Sequence, residues 1–182
     1  MSNPHNPERY GEVWDQRRID LCLEAMDLIR PFVIFSGGWA WHFMSPPGHI
    51  ELKHAHDHKD IDLHCPSNLA GTVVSILKAN GFEKTWTRYD RIPSEEQFRR
   101  YEKTIEEPGQ KPVRITIDFF VKDDLPHLEI DGWKVVEPET LLTFYSTIHS
   151  SKSCFAVQAA SKLLEAGEDP VGHPSLVEIP QD

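Results

Sequence analysis

The sequence predicts an α/β (α+β) domain built on a mixed β-sheet with flanking helices, and three features carry that expectation. An apolar run at 32–35 leads through Ser36-Gly37-Gly38 into a segment of helical spacing. The run Asp60-Ile61-Asp62-Leu63-His64-Cys65 alternates polar and apolar residues, and 113–121 repeats that alternation. Strands interleaved with helical segments are the pattern of a sheet covered by helices. At 182 residues the chain fits a single domain, 1–182, with a core over about 19–136, C-terminal helices over about 138–166 and loose ends.

The elements follow in order. Over 7–30, Tyr10, Val13, Trp14, Ile19, Cys22, Leu23, Met26 and Ile29 form an approximate helical stripe between charged residues. Pro31 marks a boundary, 32–35 reads as a short buried strand, and Gly37-Gly38 opens a helix through Trp39, Trp41, His42 and Met44 that the Pro46-Pro47-Gly48 turn stops. A polar, His-rich stretch leads to the strand at 60–65, where Ile61, Leu63 and Cys65 face the core and Asp60, Asp62 and His64 take the other face. Ser67 is placed to cap a helix to Lys78 that buries Leu69, Val73, Ile76 and Leu77 and closes at Gly81.

Segments 82–89 and 97–104 resemble strands separated by a loop containing Pro93. In 113–121, Ile115, Ile117, Phe119 and Val121 share one face, and Arg114, Thr116, Asp118 and Phe120 the other. Segments 127–130 and 133–136 form a hairpin around Asp131-Gly132, a pair that favours a type I′ turn. Pro138 suits the first turn of the next helix, and a last helix runs over about 150–166 to Gly167.

Composition narrows the function. A net charge of −10 argues against a broad electrostatic grip on nucleic acid and suits either plain solubility or a cationic small substrate. Cys22, Cys65 and Cys154 are far apart and without Cys-x-x-Cys pairing, so reduced buried thiols are expected instead of disulfides or a thiolate zinc site. No apolar run has the length of a membrane span and the first residues lack the order of a signal peptide, so the expected location is cytoplasmic.

The candidate chemistry sits on Asp60, Asp62 and Asp118. Aspartates at i and i+2 on a strand project from one face, and Asp118 on a second strand can lie across from them. Hard carboxylate ligands suit Mg²⁺, with Mn²⁺ as the alternative, and such ions neutralise a triphosphate and align attacking and leaving oxygens. A Gly-Gly turn after an apolar strand brings backbone N–H groups close to phosphate. Alone, an Asp-x-Asp is commonly a solvated strand and a Gly-Gly a simple turn; the order strand, glycines, helix, aspartates gives them weight.

In that order the chain resembles the nucleotidyltransferase superfamily that shares its fold with DNA polymerase beta. The resemblance is carried by Ser36-Gly37-Gly38, helix, Asp60-Ile61-Asp62. It looks nearest to small aminoglycoside 2″-type and lincosamide adenylyltransferases, through Gly37-Gly38-Trp39-Ala40-Trp41, His58-Lys59-Asp60-Ile61-Asp62-Leu63 and the segment from Val136 to Leu142. It implies a mixed-sheet nucleotidyltransferase fold with a short C-terminal helical segment, and transfer of AMP from ATP or another NTP to a hydroxyl of a small-molecule acceptor. By the same resemblance Ser36, Gly37, Gly38 and Lys152 would hold phosphates, Asp60 and Asp62 a metal, and Asp118 would ligate metal or act as base. Nucleic acid is not the expected partner, and a homodimer is compatible with the reading. The chain departs from the pattern in a longer link between Gly38 and Asp60, and in Lys59 where an acid often precedes the first aspartate.

Two rival readings use other residues. His49, His54, His56, His58 and His64 suggest a zinc-type site and a His-dependent metal phosphohydrolase, against the commoner use of such histidines in a solvated loop. A catalytically silent nucleotide-binding module on the same fold is the third. Trp39, Trp41, Trp86 and Trp133 are expected to pack in the core more readily than to stack a base. Arg88, Arg91, Arg99, Arg100 and Arg114 are expected at the surface, with Arg114 on the face of Asp118.

Overall fold

A computed structural model describes residues 16–44, 60–91 and 98–146 of the chain. Its elements are α1 (Gln16–Asp27), β1 (Ile34–Ser36), α2 (Gly37–Met44), β2 (Asp60–Cys65), α3 (Ala70–Ala79), β3 (Glu83–Thr85), β4 (Phe98–Ile105), β5 (Val113–Val121), β6 (His127–Ile130), β7 (Trp133–Val136) and α4 (Pro138–Ser146). The strands form one mixed sheet in the order β3-β4-β5-β2-β1-β7-β6. β2 runs parallel to β5 and β1 parallel to β7, while β1–β2, β3–β4, β4–β5 and β6–β7 are antiparallel. This is the α/β architecture expected from the sequence.

Period-two patterning sets the faces of the two central strands. Ile61, Leu63, Ile117 and Phe119 are completely buried, and they join Cys22 and Met26 of α1, Trp39 of α2 and Val73 and Leu77 of α3 in one apolar core. The opposite parity carries Asp60, Asp62, Thr116 and Asp118, which the pairing sets side by side. The hairpin turn has φ of 51° at Asp131 and 83° at Gly132, as a type I′ turn requires. Cys22 and Cys65 are free buried thiols, each pushed up to about 11 chiefly by burial.

Several boundaries differ from the sequence expectation. Pro31 lies within a short 3₁₀ turn, Arg30–Phe32, closed by Phe32 N–H donating to the Ile29 carbonyl at 2.9 Å, so the strand begins only at Ile34. Ser67 does not cap α3. Its N–H and hydroxyl donate to Asp123 at 2.7 and 3.0 Å, tying the end of β2 to the end of β5, and the helix starts later at Ala70. The charge-assisted bonds to the carboxylate orient the Ser67 side chain towards β5, away from the N–H groups that a capping oxygen would accept from. The strand expected over 82–89 stops at Thr85, because Asp90 accepts from the Thr87 N–H at 2.7 Å and from Lys84, folding 88–91 into a 3₁₀ turn. Trp86, beyond the end of this edge strand, is 77% exposed with the Lys84 ammonium over its ring. Trp39 and Trp133 do pack inward, Trp133 stacking on Phe43 at 4.6 Å. The residues at 7–15, the 46–48 turn, Pro93, Cys154 and the helix at 150–166 lie outside the described residues.

His64 takes the parity of the aspartates but belongs to an aromatic cluster. It is buried, with ring centroids 5.2 Å from Phe120 and 5.6 Å from Phe144. Burial, with a smaller contribution from the charge of Lys122, pushes its imidazole down to about 4, so the ring is neutral at pH 7. The unfolded imidazole titrates near 6.5, so between the two values the unfolded chain holds the extra proton and stability falls as the pH falls. In chelator-containing buffer His64 should contribute a loss of up to about 3 kcal/mol between pH 6.5 and 4. Urea unfolding of His64→Phe across that range should show a correspondingly flatter profile than wild type.

Candidate active site

The sheet register assembles the candidate residues into a cross-strand row. Ser36 of β1 pairs with Asp62 of β2, Asp62 with Asp118 of β5, and Asp118 with Arg100 of β4. Neighbouring strands lie about 4.8 Å apart, so this row sets a hydroxyl, two carboxylates and a guanidinium across four strands on one face. A second row, two residues along, holds Asp60, Thr116 and Glu102. Asp60, Asp62 and Asp118, expected on one face from strand parity alone, are brought together by two parallel strands.

The turn after β1 is built against this row. Gly37 has φ of +59°, a conformation that L side chains rarely adopt. A Cβ at Gly37 would overlap Oδ2 of Asp62 and come within 3.2 Å of its Cγ and 3.3 Å of its Cβ. The glycine is therefore required twice, by backbone conformation and by the carboxylate that rests on its Cα. Gly37 also starts α2, so the first backbone N–H groups of that helix lie beside Asp62.

Arg100 is the participant that sequence reasoning left among the surface arginines. Its Nε and Nη2 donate to Oδ1 and Oδ2 of Asp118 at 2.7 and 2.8 Å, and Nη2 lies 3.9 Å from Oδ2 of Asp60. Both oxygens of Asp118, a buried carboxylate, are thus engaged by one guanidinium. Hydrogen bonding to Asp118, supported by the charges of Asp118, Asp60 and Glu102, raises the arginine above its ordinary pKa. In the next row Glu102 accepts from the hydroxyls of Thr85 and Thr116 at 2.8 and 3.1 Å. The signal for Arg100 in the sequence is its place on a strand beside 113–121, but pairing it with Asp118 needs the register.

The donor set suits a hard divalent cation through Asp60 and Asp62, since Mg²⁺ commonly takes one or two carboxylates and completes its shell with water and substrate phosphates. Asp60, Asp62 and Asp118 share the face by register, but no three His, Cys, Asp or Glu side chains converge as a ready-made metal cluster among the described residues. Asp118 is partnered by an internal cation, and its use as a third ligand requires Arg100 to yield. His64 is packed among aromatic rings and its Nδ1 makes no hydrogen bond among the described residues. Lys152 and His49, His54, His56 and His58 lie outside the described residues. No helix among the described residues is long and apolar enough to cross a membrane.

No family model matches the chain, and no curated protein matches it. Solved structures do. The chain is similar to JHP933 from Helicobacter pylori, with a TM-score of 0.59 at 10% identity over 85% of this chain and 70% of that one. A second Helicobacter pylori protein, provisionally named a nucleotidyltransferase, gives 0.52 at 11% identity over 76% of this chain and 60% of that one. An antigenic nucleotidyltransferase-like protein from Paracoccidioides brasiliensis gives 0.50 at 16% identity over 91% and 85%. The likeness is one of fold, and the nearer resemblance to the aminoglycoside and lincosamide enzymes rests on the sequence motifs alone. The chain has the mixed-sheet fold of nucleotidyltransferase-like proteins.

Proposed function

We propose that the chain is a metal-dependent nucleotidyltransferase that moves AMP from ATP to a hydroxyl of a small-molecule acceptor and releases pyrophosphate. The observation that carries this reading is the row Ser36–Asp62–Asp118 with Gly37 seated against Asp62. It sets carboxylates beside a glycine-opened helix start on a fold shared with nucleotidyltransferase-like proteins.

In this reading Asp60 and Asp62 hold Mg²⁺ or Mn²⁺, which when bound supplies positive charge to the triphosphate and fixes its orientation. The Ser36-Gly37-Gly38 turn receives departing phosphates through backbone N–H groups at the start of α2. Lys152 adds a point charge for the same oxygens. The acceptor oxygen forms a bond to the α-phosphorus as the bond from that phosphorus to the pyrophosphate oxygen breaks, and the electron pair leaves with pyrophosphate. With Arg100 displaced, Asp118 takes the acceptor proton, or it would serve as a third ligand and the proton would pass to solvent. The His-dependent hydrolase draws no support from His64, which is an aromatic packing residue here.

Three measurements test the reading. In a labelled-ATP transfer screen over antibiotics, metabolites and RNA, Asp60→Asn and Asp62→Asn should each lower turnover about a thousandfold with circular dichroism unchanged. Full activity in either variant overturns the assignment. Gly37→Ala should unfold about 1–2 kcal/mol more easily and lose about a hundredfold in turnover, because the added methyl displaces the Asp62 carboxylate. Arg100→Ala removes the internal cation, so its affinity for Mn²⁺, read by calorimetry, should rise about tenfold over wild type. Unchanged affinity would mean that Arg100 does not compete with metal.

A further inference from the structure

A cleft of about 330 Å³ opens beside Asp60, lined by Arg18, Asp60, Arg100, Glu102, Pro112, Arg114 and Thr116. Three of these seven side chains are guanidiniums, in a chain whose net charge is −10. Arg18 comes from α1, Arg100 from β4 and Arg114 from β5, so the grouping is produced by the fold and not by a basic run of sequence. Glu102 gives its oxygens to Thr85 and Thr116, and Arg100 is held on Asp118. Arg114 is exposed and makes no hydrogen bond or ion pair among the described residues. It stands one register row beyond Thr116 on the face of Asp118, about 13 Å along the strand from it.

The side of the sheet on which the cleft lies gives it a role. In-line displacement puts the attacking and departing oxygens on opposite sides of the phosphorus. If the departing phosphates sit at the turn after β1, the attacking hydroxyl enters from the other side of β2, over β5 and β4, where the arginines are. With Asp60 engaged by metal and Arg100 held on Asp118, the charged groups left lining the opening are the guanidiniums of Arg18 and Arg114 and the carboxylate of Glu102, a balance that favours an oxyanion. Guanidiniums recognise phosphate through paired N–H donors. The cleft volume suits a small molecule, and the acidic chain lacks the extended basic surface that nucleic acid requires.

We infer that this cleft binds the phosphate group of a small phosphorylated acceptor, with Arg114 and Arg18 as specificity residues. The inference rests on the transferase reading for its geometry, and replaces the cationic substrate suggested by net charge with an anionic one.

The test uses the ¹⁵N-labelled full chain titrated with glycerol 3-phosphate, with glycerol as the uncharged control and a short single-stranded RNA as competitor. Glycerol 3-phosphate should shift the amides of 113–116 and glycerol should not. Arg114→Gln should weaken that binding about fivefold or more, Arg99→Gln should leave it unchanged, and Mg-ATP affinity should stay within about twofold in both. Equal responses to glycerol, or no effect of Arg114→Gln, would overturn the proposal. Equal weakening of Mg-ATP would assign the cleft to the triphosphate, and preferential displacement by RNA would assign it to nucleic acid; either result also rejects the small acceptor. Phosphate binding is read without turnover, so an inactive transfer screen beside Arg114-dependent phosphate binding would sink the reaction and leave the anion site standing.

Discussion

A slip of one residue in the parallel pairing of β2 with β5 would turn Asp60 and Asp62 into the core and bring Ile61 and Leu63 to the surface. That register, Asp62 opposite Asp118, is the constraint on which the rest of the structure depends. It is held by burial on the other face, where Ile61, Leu63, Ile117 and Phe119 are excluded from water. Each such side chain contributes about 1.5–3 kcal/mol by burial, so the apolar face fixes the position of the polar one. The carboxylates are displayed because their neighbours in sequence are hidden.

Displaying several carboxylates on one face has an electrostatic cost that the fold must offset before any ligand arrives. Asp118 is buried, and a buried carboxylate without a partner is strongly unfavourable. Arg100 answers this from the adjacent antiparallel strand with two hydrogen bonds and a near approach to Asp60. The same pair that satisfies Asp118 engages both of its oxygens. Asp62 meets its constraint differently, by resting on the bare Cα of Gly37. The turn after β1 and the central strand are thereby coupled: a side chain at one position displaces the carboxylate at the other.

Features governed by short-range periodicity were legible in the sequence. The parity of Asp60, Asp62 and Asp118, the start of α2 at Gly37 and the Asp131-Gly132 hairpin all follow from one residue's relation to its near neighbours. Features decided by distant partners were not. Ser67 resembled a helix cap, but its donors are drawn to Asp123, far along the chain. His64 counted among five candidate histidines of a rival zinc-type site, but it packs against Phe120 and Phe144. Arg100 was one of five similar arginines, and only the β4–β5 register singles it out.

Net charge shows the same division between local and distant causes. A sum over the whole chain describes solubility and long-range steering, whereas a ligand in a cleft meets the few charges within a Debye length, about 8 Å in physiological salt. Arg18, Arg100 and Arg114 are far apart in sequence and dilute in a net charge of −10, yet they line one opening. Their convergence depends on α1 lying beside β5 and on β4 pairing with β5. The net charge of the chain therefore does not describe the charges that line this cleft. Asp62, Asp118 and Arg100 share one row of the sheet face, Asp60 and Glu102 the next and Arg114 the one beyond, so a single register together with α1 sets carboxylates and guanidiniums side by side.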